Sequence, residues 1–203
     1  DLIRESLASG EPSVDGITLD RLERERSVRL RIDRPYRPFA DGAPTPSGKV
    51  EFVSETMARA GLPSLPTYVP LVEGPEHAEL TRRYPLQCIV PPNRFFLNSS
   101  FSQSERARRR QRGPAVLLHP ADAAARAIRG GDAVLVRSAR GEARFTAEVT
   151  DDTREGVAVI EGIWWSKHQA GGRGVNALTD DRTADMGGGP VLHSNLVQVE
   201  RLP

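Results

Sequence analysis

The sequence predicts a mainly β protein with short helices, in which a closed β-barrel follows an irregular extension. Three observations carry that expectation. Apolar runs of three to seven residues recur after Pro85 and are separated by turn residues. Sixteen prolines and eighteen glycines punctuate the 203-residue chain, with many of the prolines in its first half. Only one helical pattern of any strength, Ala121–Ile128, lies among the strand candidates.

Taken in order, the first 85 residues lack the means to bury a core alone. Leu2–Leu7 is a short apolar-periodic fragment ended by Gly10, Glu11 and Pro12, and it reads like the end of a helix without its beginning. Together with the opening Asp1, this suggests a piece of a longer polypeptide. Thr18 or Asp20 can cap a brief helix through Arg26. Val28, Leu30 and Ile32 alternate with Arg29, Arg31 and Asp33 in the manner of a half-buried strand. Arg34–Pro46 carries four prolines and is expected to be extended and irregular. Val50 and Phe52 suggest another short strand, Ser54 caps a helix to Ala60, and Gly61 stops it in a left-handed conformation. Leu62–Pro85 has no sustained period. The chain therefore divides into an extension or connector, 1–85, and a barrel domain, 86–203.

Within the second part the strand candidates are Leu86–Val90, Ala115–Leu118, Ala133–Val136, Ala143–Val149, Val157–Ile160 and Leu196–Val199. Pro120 suits the first position of a helix with Asp122 in its first turn. Gly130, Gly131 and Asp132 turn the chain, and Arg140-Gly141 makes a hairpin. These six strands and one helix suggest closure into a barrel.

Between the last two strands lies Gly171–Asn195, a long polar loop with a glycine-rich approach, an acidic run and three consecutive glycines. Loops of this length inside a compact domain are usually functional or disordered, and this one is expected to close over a phosphorylated, ring-bearing ligand.

Charge and cysteine content narrow the classes of function. With 28 Lys and Arg against 27 Asp and Glu, the net charge of +1 offers no global attraction to nucleic acid or an anionic membrane. Mean hydropathy is −0.43, and no apolar run approaches membrane-spanning length. The single cysteine, Cys88, excludes an internal disulfide and a cysteine-built metal site, and its apolar neighbours make it a small core residue. His77, His119, His168 and His193 have no metal-ligand spacing to one another, so no protein-bound metal is expected.

Several segments together resemble one known family. They are Leu97-Asn98-Ser99-Ser100-Phe101, Leu118–Ala124, Gly130–Val134, Gly156-Val157, Gly162–Trp165, Asn176-Ala177-Leu178-Thr179, Asp185–Gly188 and the closing strand, with Thr45–Glu51 as a connector upstream. In order and spacing, Leu86–Val199 resembles the C-terminal dinucleotide-binding domain of molybdopterin oxidoreductases, the dimethyl sulfoxide reductase family. The resemblance implies a double-psi β-barrel and a molybdopterin dinucleotide, usually the bis-guanine form, holding molybdenum or tungsten. It places the metal ligand, any iron–sulfur cluster and most of a substrate pocket in preceding domains of the same polypeptide, and it leaves electron-transfer subunits as further partners. On that account the isolated chain is catalytically inert.

Candidate contacts follow from the ligand's chemistry. A diphosphate needs backbone N–H groups and hydroxyls that small residues let come close, which points to Asn98, Ser99 and Ser100. A guanine edge offers two adjacent N–H donors to a carboxylate, which points to Asp122 with His119 nearby. The alternative for Asp122 is a first-turn helix residue favoured by the dipole. An amide can read the mixed pterin edge, which points to Asn176; the alternative is a loop-capping Asn. His193 faces the cofactor or satisfies a core hydrogen bond. Gly187–Gly189 permit tight turning near the ligand or a sharp bend, and His168 and Gln169 lie near the pterin. Trp164 and Trp165 read as packing residues rather than a stacking platform.

Two rival functions remain: a stand-alone ligand-binding or adaptor barrel, and a nucleic-acid-binding barrel using Arg106–Arg112. The arginine cluster lacks interleaved aromatics and reads more simply as a solvated loop or a contact to other domains.

Overall fold

The computed structural model describes residues 2–32 and 37–203. Two compact units divide the chain, residues 1–66 and 67–203.

The first unit contains helices α1 (Leu2–Leu7), α2 (Leu19–Glu25) and α3 (Glu55–Arg59). Thr18 caps α2 by accepting from the Arg21 N–H, and Ser54 caps α3 by accepting from the Met57 N–H. Gly61 follows α3 with φ +75°, the left-handed stop expected there. The alternating Val28–Ile32 segment forms no strand, and neither do Val50 and Phe52. Each lacks a second strand to pair with among the described residues, and Leu30, Ile32, Val50 and Phe52 all stay exposed. Asp33, Arg34 and Pro35, on which parts of the strand and proline-rich expectations fall, lie outside the described residues.

The second unit opens with α4 (Ala78–Arg83) and then builds six strands: β1 (Leu86–Ile89), β2 (Ala115–Leu118), β3 (Ala133–Arg137), β4 (Glu142–Val149), β5 (Val157–Val159) and β6 (Asn195–Arg201). Helix α5 (Glu105–Gln111) precedes β2, and α6 (Pro120–Ala124) follows it. The strands close into a barrel in the order β1-β5-β2-β4-β3-β6. The pairs β1–β5 and β2–β4 are parallel and the other four are antiparallel. All six strands coincide with the apolar runs, and the chain is mainly β with short helices, as the sequence predicts.

Alternation fills the barrel. In β4, Ala143, Phe145 and Ala147 point inward while Arg144, Thr146 and Glu148 face out. They meet Val116, Leu118, Val134, Val136, Ala158, Val197 and Val199 in one core, with Val175 and Leu178 of the long loop packed into it. Cys88 belongs to the same core at 1% exposure, and burial pushes its thiol up to about 12. Helix α6 is shorter than the sequence pattern, since the turn after it takes Ala127 to φ +52°. The arginine cluster, expected as a loop, is helix α5 because Ser104 caps it at the Ala107 N–H.

Candidate functional site

Strand directions assign every connection to one of two barrel ends. With β1 and β5 pointing one way, the antiparallel pairings turn β2, β4 and β6 the other way and β3 back again. The first end therefore gathers residues 90–114, the hairpin 138–141 and the long segment 160–194. The opposite end gathers the loops after β2 and β4 and the starts of β1, β3 and β5.

Five of the seven candidate residues fall at the first end. Leu97 and Ser100 exchange backbone hydrogen bonds of 3.2 and 2.8 Å around a tight turn, with Asn98 at φ +50° on its corner. The turn is held from below: the Ser99 carbonyl accepts from the buried Ser102 hydroxyl at 2.8 Å and from Trp165 Nε1 at 3.0 Å. Asn98, Ser99 and Ser100 are exposed, leaving their side chains for an incoming group. Asn176 sits in the short helical turn Val175–Ala177, whose flanks Val175 and Leu178 are buried at 2% and 0% exposure. Its own side chain faces outward. His193 satisfies part of a local bond network: Nδ1 accepts from the Val90 N–H at 3.3 Å, and its carbonyl accepts from Gln87 Nε2 at 2.7 Å.

His119 and Asp122 lie at the opposite end, with their side chains engaged locally. His119 Nδ1 caps α6 by accepting from the Ala121 N–H at 3.2 Å. Asp122, 8% exposed, accepts from the Gly156 N–H at 2.8 Å and pairs with Arg126 at 3.4 Å. The seven candidates therefore form no single surface.

The first end also holds residues whose importance only the packing reveals. The buried atoms Asn93 Nδ2, Trp164 Nε1, His168 Nε2, Gln169 Oε1 and Gln111 Oε1 have no hydrogen-bond partner among the described residues. Each such group in an apolar setting costs about 1–3 kcal/mol. Asn93 uses its Oδ1 to accept from the Phe95 and Phe96 N–H groups at 3.2 and 2.9 Å, and its Nδ2 lies so near Gly162 that a Cβ there would sit 2.3 Å away. Trp164 packs edge-on to Phe96 with centroids 4.9 Å apart, which fits the packing role expected for it. Burial, then the charges of Arg108 and Lys167, hold the His168 imidazole below its ordinary value. A lone polar residue after Pro91-Pro92 was the only sequence signal for Asn93.

The arginines of α5 are largely committed within the chain: Arg108 to the Ser102 carbonyl at 2.6 Å, Arg109 to Glu105 at 2.6 Å, and Arg110 above Phe95 at 5.9 Å. Among the described residues no cluster of His, Cys, Asp and Glu could hold a metal ion, and no helix is long and apolar enough to cross a membrane.

A barrel with one end rich in glycine turns, free amides and orphaned buried polar atoms defines a ligand-binding domain. A family model described as the molydopterin dinucleotide binding domain matches residues 86–196, and the chain belongs to that family. A probable oxidoreductase of Bacillus subtilis strain 168 is 37% identical over 202 residues, covering 99% of this chain and 28% of its own length. The dimethyl sulfoxide reductase of Escherichia coli K12 is 33% identical over 181 residues, covering 81% and 22%. Acetylene hydratase from Pelobacter acetylenicus superposes with a TM-score of 0.71 at 23% identity over 94% of this chain and 28% of its own, a likeness of fold. The chain thus spans 22% to 28% of the length of these relatives.

Proposed function

We propose that this chain is the C-terminal portion of a molybdenum or tungsten oxidoreductase, in which residues 86–203 bind a molybdopterin guanine dinucleotide at the loop-rich barrel end and residues 1–85 connect to preceding domains. The observation that carries this reading is the concentration of orphaned buried polar atoms at the end that also bears Asn98, Ser99, Ser100 and Asn176. Such atoms fit a large polar ligand, because buried polar groups in folded proteins nearly always have a hydrogen-bond partner.

In this reading the turn at Asn98–Ser100 offers hydroxyls and backbone N–H groups to the diphosphate. The Asn176 amide reads the pterin edge, donating and accepting side by side. Since His193 Nδ1 accepts from Val90, its proton resides on Nε2, which is the atom left to donate. Asn93 Nδ2 adds a donor that sequence reasoning did not single out for binding, and Gln169 Oε1, expected near the pterin, adds an acceptor. His119 and Asp122 hold the far end of the barrel together through their local bonds. When bound, the cofactor supplies the metal centre for two-electron or oxygen-atom chemistry, while the protein supplies binding and orientation. The metal ligand, any iron–sulfur cluster and docking sites for electron-transfer subunits belong to the remainder of the enzyme.

The test is to express the longer polypeptide in a host that makes the cofactor, then measure molybdenum or tungsten and acid-released GMP. Near-stoichiometric metal with two GMP per metal is expected. A folded preparation containing neither metal nor nucleotide overturns the reading.

A further inference from the structure

The long loop does not hold its shape unaided. Arg140, at the tip of the β3–β4 hairpin, donates Nε and Nη2 to the Leu178 carbonyl at 3.2 and 3.1 Å. Nη2 also reaches Asn195 Oδ1 at 3.0 Å, and Nη1 reaches Asp180 at 3.3 Å. Glu73 matches the Nη1–Nη2 edge of the guanidinium with a two-point contact and also accepts from the Leu196 N–H at 3.2 Å. Glu73 is 5% exposed and Asn195 is fully buried. Asn195 Oδ1 further accepts from the Asp180 N–H at 3.1 Å, and Asn195 Nδ2 donates to Leu192 at 2.7 Å.

A second observation, independent of charge, concerns the neighbour of Arg140. A Cβ on Gly141 would stand 2.7 Å from the Ala177 carbonyl oxygen, a backbone atom that cannot swing aside. The hairpin therefore approaches the turn Val175–Ala177 as closely as a side-chain-free residue allows. Arg140 grips one residue further along, at Leu178, and Asn176 stands on the same turn, one residue before Ala177.

We propose that Arg140 and Gly141 form a seat that positions Asn176 for ligand reading, with Glu73 as the buried counter-charge that keeps the guanidinium oriented. This rests on the proposed function, since it takes Asn176 as a ligand contact. Arg140 is a positioning residue: its donors are directed at the protein's own carbonyl and carboxylate groups. The seat draws on three separate segments, namely the stretch before α4, the hairpin and the approach to β6. A displacement of Glu73 is thereby felt at the loop.

The longer polypeptide, expressed in a host that makes the cofactor, serves for the test, with its bound dinucleotide, read as acid-released GMP, as the probe. Arg140→Gln is expected to speed amide exchange at Leu178–Asp180 about tenfold, leave the β2–β4 amides unchanged, and weaken dinucleotide binding about tenfold. In an Asn176→Ala background, Arg140→Gln is expected to cause no further loss of affinity, because the two act through one contact. Gly141→Ala, which removes no charge, is expected to reproduce the faster exchange and weaker binding, and it substitutes for Arg140→Gln if that variant does not fold. Unchanged exchange and binding in the variants overturn the seat, as do additive losses in the double variant. A wild-type longer polypeptide that carries no dinucleotide overturns the proposed function and this inference with it; wild-type occupancy with unaffected variants overturns the inference alone.

Discussion

Replacing Asp122 with alanine separates two roles that a carboxylate at this position can play. In the structure its Oδ2 accepts the Gly156 N–H at 2.8 Å, and its Oδ1 lies 3.4 Å from Arg126, whose side chain is 15% exposed. Removing the carboxylate leaves the Gly156 N–H without its acceptor, which costs about 1–3 kcal/mol. Arg126 loses a counter-charge but keeps the residue-122 carbonyl at 2.8 Å and Gln198 at 3.4 Å, so its share is about 0.5 kcal/mol. The expected destabilisation is therefore about 1.5–3.5 kcal/mol, or about 6–14 °C in Tm at roughly 4 °C per kcal/mol. Asp122→Asn keeps an acceptor for Gly156 and is expected to lose about 1 kcal/mol. Urea unfolding followed by tryptophan fluorescence measures both, and dinucleotide titration is expected to give unchanged affinity. A loss of under about 0.5 kcal/mol combined with clearly weaker dinucleotide binding refutes the reasoning and returns Asp122 to the role of base reader.

The charged seat predicts an acid response. Burial alone would raise the Glu73 carboxyl, but the hydrogen bonds from Arg140 and the Leu196 N–H, with the Arg140 charge, outweigh it and hold it below its ordinary value. The Arg182 side chain and backbone N–H, with the Arg140 charge, hold Asp180 at about 2. Groups depressed in the folded state stabilise it above their unfolded values of 4.5 and 3.8 and lose that contribution as protons bind. Stability measured by urea midpoint is expected to be flat above about pH 5 and to fall between about pH 4.5 and 2; a midpoint that rises on acidification in that window contradicts the assignment. Cys88, buried and held at about 12, is expected to resist a thiol-specific disulfide reagent in the native chain and to react on unfolding. Labelling of native protein at the rate of a free thiol contradicts its place in the core.

The strands were legible because each is a short apolar run whose partners are also short apolar runs. Their order was not, because β1 lies between β5 and β6, neighbours that local sequence cannot name. Val28–Ile32 carried a strand's alternation without a strand's partner, and periodicity alone does not supply one. Asn98–Ser100 were legible as small polar residues on a loop flanked by phenylalanines, and Asn176 as an amide on a glycine-rich one. The separation of Asp122 from them was not, since it follows from the direction of β2 within the closed barrel. Arg140 read as a hairpin residue, and nothing near it in sequence announces Glu73, Leu178 or Asn195.

The closure of the barrel has a consequence for its synthesis. The first strand finds neither neighbour nearby in the chain: β5 arrives some seventy residues later, and Leu86 meets Val197 more than a hundred residues on. A nascent chain that has just exposed β1 therefore carries two bare edges and an apolar face while β2, β3 and β4 emerge. Those three can begin to pair early, since β3 and β4 form a hairpin and β4 lies against β2. Such a half-built sheet stays exposed to wrong strand pairing until β6 seals the barrel.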